Sequence, residues 1–229
     1  MRLTFLHWSF APSEIARFVP SPLRLDTFDG RAWVGLTPFS IRGVRPIGLP
    51  ALPGLSDGAE TNVRTYVRSP DGRAGVLFLS LDITMPHAVA AGRAVYRLPY
   101  MWAAAAVSER TRLHYRGRRR WGGPPASWDI AVEPGEPIAD DDVSDLDDFL
   151  TSRWWLFSRY GRALAATPVE HEPWPLRRAR LDHLDEDLLS AVGVRRPSGD
   201  PHVLMSPGVH TRIGLTRPIT EARPASESR

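Results

Sequence analysis

Glu60-Thr61-Asn62-Val63-Arg64-Thr65-Tyr66-Val67 alternates without a break. As an extended strand it places an acid, an amide, a guanidinium and a phenol on one face, with Thr61, Val63, Thr65 and Val67 on the other. β-Branched residues along the second face suit a buried layer. The first face either meets solvent or lines a polar cavity. Large and aromatic polar groups fill it where small surface residues would serve, which favours the cavity. Pro70-Asp71-Gly72 then turns the chain into Ala74 to Thr84, where Phe78, Ser80 and Asp82 share one face and Leu77, Leu79 and Leu81 the other. The pair reads as a β-hairpin with an aliphatic and a mixed side.

Upstream, Leu23 to Phe28, Asp29-Gly30 and Arg31 to Ile41 spell a second hairpin, because Asp-Gly accepts the positive φ of a two-residue turn. Downstream, strands are expected at Met101 to Ser108, Arg110 to Arg116, Trp128 to Glu133, Arg153 to Arg159, Val169 to Glu172, Leu176 to Leu181, His202 to Met205 and Val209 to Leu215. The 22 prolines and 18 glycines punctuate these short runs. Helices are expected at Pro12 to Phe18 and Pro86 to Arg93, and after Ser144, where Ser144-Asp145-Leu146-Asp147 has capping-box spacing. A fourth, Asp185 to Val192, stops at Gly193. Gly43 to Gly58 is a long proline-rich loop. The pattern predicts one mainly β domain over residues 1–216, a closed antiparallel β-barrel with a few short helices, followed by a flexible tail over 217–229.

At 229 residues the chain is about one and a half times a typical domain of roughly 150 residues, room for one large domain or two small ones. Its 42% hydrophobic and 24% charged residues exclude a disordered chain. No apolar run is long enough for a membrane span or a signal segment, so a soluble cytoplasmic protein without a membrane partner is expected. With no cysteine, disulfides, thiolate metal sites and cysteine nucleophiles are excluded. All 29 basic residues are arginine, which also excludes a lysine Schiff base and leaves histidine as the basic side chain able to act as a neutral base. No cofactor or metal is expected.

Four local motifs carry little. Gly54-Leu55-Ser56-Asp57-Gly58 spells a nucleophile elbow, yet prolines precede it and a strand follows where a helix is required. His183, Asp185 and His202 have the order of a two-histidine, one-carboxylate iron site without further support. Asp140 to Asp148 lacks the glycine and glutamate of a calcium loop and reads as an acidic lead into a helix N-terminus. Arg116-Gly117-Arg118-Arg119-Arg120-Trp121 has the composition of a phosphate-backbone contact, but the net charge is only +3. Nucleic-acid binding is therefore a third reading, behind an exposed hairpin end or the wall of an anion pocket.

Further polar groups are Arg93, Arg97 and Tyr100, and Glu170-His171-Glu172, where His171 projects opposite to the two carboxylates. If it faces the cavity, it titrates near neutrality and suits general acid or base work; otherwise it is a hydrogen-bonded core histidine.

Leu23 to Leu36, Glu60 to Val67, Gly75 to Asp82, Leu98-Pro99-Tyr100, His171-Glu172-Pro173-Trp174-Pro175-Leu176 and Ser206-Pro207-Gly208-Val209 together resemble the YqjF-like family of conserved uncharacterised proteins, over roughly residues 3 to 215. That family is similar to the acetoacetate decarboxylase superfamily, which implies a closed cone-like β-barrel with an internal ligand cavity. Decarboxylases of that superfamily use a lysine imine; this chain has no lysine, so the fold carries over and the imine chemistry does not. Superfamily relatives often assemble, which makes a homo-oligomer the corresponding expectation.

The expected function is binding of a small organic anion, a carboxylate or keto acid, in a polar barrel cavity. Asn62, Arg64, Tyr66, Arg93 and Tyr100 are the expected substrate-binding residues, with Glu60 and His171 as acid–base groups for a lyase, hydratase or cyclase type of step. The alternative is a non-catalytic carrier or sensor on the same barrel.

Overall fold

The computed structural model describes residues 2–45, 50–109, 112–160 and 163–219. Its strands are β1 (Leu3–Phe10), β2 (Arg24–Leu25), β3 (Ala32–Ile41), β4 (Gly58–Arg68), β5 (Ala74–Ile83), β6 (Tyr100–Glu109), β7 (Leu113–Trp121), β8 (Ser127–Pro137), β9 (Trp155–Tyr160), β10 (Ala163–His171), β11 (Arg177–Glu186), β12 (His202–Ser206), β13 (Thr211–Ile213) and β14 (Arg217–Ile219). The helices are α1 (Pro12–Ile15), α2 (Pro86–Ala91), α3 (Asp145–Thr151) and α4 (Leu188–Ala191).

Nine strands close in the order β5-β6-β7-β8-β11-β12-β1-β3-β4 and back to β5. Eight of these seams are antiparallel. The ninth, β5–β6, is parallel and spans Leu81↔Tyr100, Asp82↔Met101 and Ile83↔Trp102. A parallel neighbour cannot be reached by a tight turn, and the crossover through α2 and the wide turn Gly92–Tyr96 makes that connection. Inside the barrel Leu6, Trp8, Leu36, Val63, Tyr115, Trp128 and Ile130 pack together, contributed by strands all around the wall. Gly117 lies opposite Trp128, whose ring occupies the space a Cβ would need, 2.1 Å away.

The interior also holds an ion pair. Arg119 on β7 donates from Nε and Nη2 to the two oxygens of Asp82 on β5, at 2.7 and 2.8 Å, and from Nη1 to the Pro124 carbonyl at 2.9 Å. Both side chains are almost wholly buried. Between them runs β6, where Ala103 faces Arg119 across the β6–β7 ladder and is small enough to let the guanidinium pass.

A second layer lies outside this wall. β9 joins β5 in parallel through Val76↔Leu156 and Leu77↔Phe157, and β10 pairs with β9, β13 and β14. α3 packs Leu150 against Tyr66, Leu81 and Leu98. Its start follows the expected capping box: the Asp147 N–H donates to Ser144 Oγ, and the Asp147 carboxylate accepts from the Ser144 N–H.

Several expectations change. The Asp29-Gly30 turn forms with positive φ at both residues, but only Phe28 and Arg31 pair beside it. Leu23 to Phe28 is drawn instead to β4, where Arg24 and Leu25 pair with Arg68 and Val67, and Asp26 is held by Arg68, Arg153 and the Tyr66 carbonyl. A bulge shifts the β4–β5 register between Val63↔Ser80 and Arg64↔Phe78. Phe78 therefore sits with Tyr66 and Leu81, while Asp82 points into the barrel. The segment expected as a helix from Asp185 begins as the end of β11 and turns helical only at Leu188. β1 carries no turn signal and was not anticipated. Arg217–Ile219, assigned to the tail, pair with β10, while residues 220–229 and residues 46–49 of the long loop lie outside the described residues.

Removing one member of a buried ion pair strands the other. Arg119→Ala is therefore expected to cost about 3–5 kcal/mol, and the double variant Asp82→Leu/Arg119→Met to recover most of that loss. Urea denaturation of the three proteins measures both.

Candidate functional site

The Glu60–Tyr66 face lies on the outer wall of the barrel, under the second layer, and not in the barrel's lumen. It is nonetheless enclosed: Glu60, Asn62 and Tyr66 are buried and Arg64 is half-buried. The partition follows from β4 itself, because Val63 faces the interior apolar cluster and its neighbours must face away.

One rung across the sheet organises the site. His202 pairs with His7, His7 with Gly35, and Gly35 with Arg64. Side chains in such a rung share a face. Gly35 contributes no side chain, and a Cβ there would stand 2.7 Å from His7 Nε2 and 3.4 Å from Arg64 Cγ. The glycine thus lets the imidazole and the guanidinium stem meet over β3.

His7 is fully buried. Tyr66 donates its one hydroxyl proton to the Leu150 carbonyl at 2.8 Å, and its oxygen lies 2.6 Å from His7 Nε2. With that proton committed, Nε2 is the donor to the phenol oxygen, and Nδ1 is left as a bare acceptor. Nδ1 is buried without a partner. Burial, reinforced by the charges of Arg64 and His202, holds the His7 pKa well below its usual value and keeps the ring neutral.

Arg64 lies over the Phe5 ring, 5.3 Å from its centroid, and its Nη2 reaches the Leu150 carbonyl at 3.4 Å. Its Nε is buried and unpartnered, and no carboxylate pairs with it among the described residues. Along the next rung Thr37 pairs with Asn62, and the Thr37 hydroxyl and Asn62 Oδ1 are likewise buried and unpartnered. Asn62 Nδ2 makes a long 3.5 Å bond to Glu60 Oε1. Burial, opposed by that bond and aided by the charge of Asp82, raises the Glu60 pKa to about 8, so its carboxyl carries a proton at neutral pH. Tyr100 lies near enough to Glu60 for that charge, after burial, to push its phenol pKa up.

At the rim, His202 Nε2 sits 2.6 Å from Asp147 Oδ1. Burial of Asp147 is outweighed by hydrogen bonds from Ser144 and His202, so its pKa is lowered.

Of the residues expected at the site, Glu60, Asn62, Arg64, Tyr66 and Tyr100 come together. Arg93 does not join Arg64: it donates to the carbonyls of Tyr100 and Gly122 and lies over the Trp121 ring, tying the wide turn Gly92–Tyr96 to β6 and the end of β7. His171 is not inward. It lies between the rings of Trp154 and Trp174, half-exposed, with Nδ1 against the Glu172 carbonyl at 2.7 Å. The arginine cluster is divided by strand alternation, Arg116, Arg118 and Arg120 facing out while Arg119 is buried. Ser56 Oγ accepts from the Leu52 N–H and belongs to the loop, as its proline-rich setting implied. An open cleft of about 480 Å³ lies elsewhere, lined by Arg112, His114, Arg116, Asp129 and His183.

His7, Gly35, Thr37, Asp147 and His202 were not foreseen as site residues. The alternation of Leu3, Phe5 and His7 against Thr4, Leu6 and Trp8 was available in the sequence, but both faces are apolar enough to hide which one matters.

Residues 1–210 match the family model DUF2071, described as an uncharacterized conserved protein. The chain belongs to this family. It is 33% identical over 199 residues to the uncharacterized protein YqjF of Bacillus subtilis (strain 168), covering 86% of this chain and 81% of that one. The fold is similar to the enduracididine biosynthesis enzyme MppR complexed with pyruvate (TM-score 0.60, 14% identity, 96% of this chain and 88% of that one). It is similar also to an acetoacetate decarboxylase-like enzyme of Sphingomonas wittichii RW1 (0.60, 12%, 95% and 90%). Acetoacetate decarboxylase of Legionella pneumophila matches at 0.57 (14%, 96% and 84%). These likenesses establish an acetoacetate decarboxylase-like fold for the family member described here. Among its described residues no helix is long and apolar enough to cross a membrane.

The raised Glu60 pKa ties stability to pH. Between the unfolded value near 4.5 and the folded value near 8 the native state binds one more proton than the unfolded state, so its contribution is full below that window and falls as pH rises through it. Relative to Glu60→Gln, the native protein is expected to lose up to about 1.4 kcal/mol per pH unit across the window. Paired denaturation curves at pH 5 and pH 8 check the sign and the slope.

Proposed function

We propose that this protein binds a small organic anion, a carboxylate or keto acid, between the outer face of β4 and the layer that covers it. One observation carries the reading: Arg64 is a half-buried guanidinium with a bare Nε and no carboxylate partner among the described residues. A guanidinium of this kind suits a charge-assisted, two-point grip on a carboxylate. Asn62 and Tyr66 flank it on the same face and orient what it holds. MppR, similar in fold, is known in complex with pyruvate, which supports a ligand of this class.

Without lysine, chemistry on such a ligand runs through proton transfer and not through an imine. Glu60 is the group suited to it, since its carboxyl is protonated at neutral pH and titrates near 8. A lyase, hydratase or cyclase type of step on a carbonyl or enol fits that donor.

Calorimetry with pyruvate and other small carboxylates tests the reading. Binding by the native protein, weakened about tenfold or more in Arg64→Gln, is expected. Absence of binding, or binding indifferent to that substitution, overturns it. Binding without turnover of the acid assigns the site to a carrier or sensor.

A further inference from the structure

We propose that the anion recognised here carries a hydrogen-bond donor beside its carboxylate, as a 2-hydroxy acid does. The inference rests on the anion reading above and narrows it to a substrate class.

Its basis is the inventory of buried atoms on this face. Arg64 Nε–H is a donor in search of an acceptor, which a carboxylate supplies. His7 Nδ1 is the opposite. The Tyr66 proton is committed to the Leu150 carbonyl, so Nε2 must carry the ring hydrogen and Nδ1 offers only a lone pair. Asn62 Oδ1 is a second bare acceptor. The bare buried atoms on the outer face of β1, β3 and β4 are therefore two acceptors, His7 Nδ1 and Asn62 Oδ1, two donors, Arg64 Nε and Trp33 Nε1, and the Thr37 hydroxyl, which serves as either, on rungs joined through Gly35 and Thr37.

A buried acceptor left unmatched costs free energy, and a ligand that brings it a donor recovers that cost while one that brings only acceptors does not. A keto acid offers only acceptors. It satisfies Arg64 and leaves His7 Nδ1 and Asn62 Oδ1 facing oxygen lone pairs. A hydroxy acid presents the same carboxylate together with an O–H. An amino acid also carries donors, but its ammonium would stand beside the Arg64 cation, so the uncharged hydroxyl is the better match.

Calorimetry on the native protein with matched pairs, lactate against pyruvate and 2-hydroxybutyrate against 2-oxobutyrate, reads the difference directly. The hydroxy acid is expected to bind about tenfold tighter or more in each pair. Nitrogen-15 spectra of the histidine side chains are expected to show His7 Nδ1 leaving the bare-acceptor range when the hydroxy acid is added. His7→Phe is expected to bring the members of each pair together, and if that variant fails to fold, the native panel and the spectra decide. Equal or tighter binding of the keto acids, with Nδ1 unmoved, overturns the inference and leaves the anion reading standing. Failure of every acid to bind removes both.

Discussion

Arg119 and Asp82 meet inside the barrel across the parallel seam of its wall. The β5–β6 junction is the parallel seam of the closed wall and is held by three residue pairs. Arg119 belongs to the strand beyond it, so its grip on Asp82 spans β6 and fastens β5 to β7 directly. Parting β5 from β7 would therefore break this pair together with the ladder between them, and leaving either charge buried without the other is costly. The same pair reaches the site: the Asp82 charge adds to the burial that keeps Glu60 protonated, although the two carboxyls point to opposite faces of the sheet.

The bulge between β4 and β5 is what allows this division of labour. Regular alternation would carry Phe78, Ser80 and Asp82 along one face. The extra residue turns Phe78 outward to Tyr66 and leaves Asp82 inward for Arg119. The polar face of β4 gains an aromatic neighbour, and the lumen receives the Asp82 carboxylate opposite the guanidinium. Enclosure of the site then comes from α3, β9 and the segment bearing Trp174. The Trp174 ring packs edge-on against Phe5, and its indole N–H donates to the Thr151 carbonyl.

How much of this was legible depends on the range of the signal. Strand alternation in Glu60 to Val67, the capping box at Ser144 and the turn at Asp71-Gly72 are local, and each appears where the sequence put it. The sorting of faces into lumen and outer wall is not local. β4 shows which residues go together, whereas which side is inside depends on where the other eight strands lie. The bulge has no marker, because Leu79 fits either face equally well. His171 and Arg93 were misplaced for a related reason: a titratable or charged residue near a motif reveals chemistry, yet its partners, the Trp154 ring and the Tyr100 carbonyl, are fixed only by tertiary contact. His7 and His202 lie far apart in sequence and become neighbours through the β1–β12 ladder.

That ladder has a bearing on biosynthesis. β1 leaves the ribosome ahead of β3 and soon finds it, but the edge that will bear His202 is made only about 190 residues after His7 has been translated. Until then one side of β1 offers unpaired amides and carbonyls beside a row of apolar side chains, the situation in which nascent sheets stick to the wrong partner. Long-range pairing of this kind slows folding as well. A protein sewn shut by β1 and β12 is therefore one whose yield depends on how well β1 is shielded while synthesis continues.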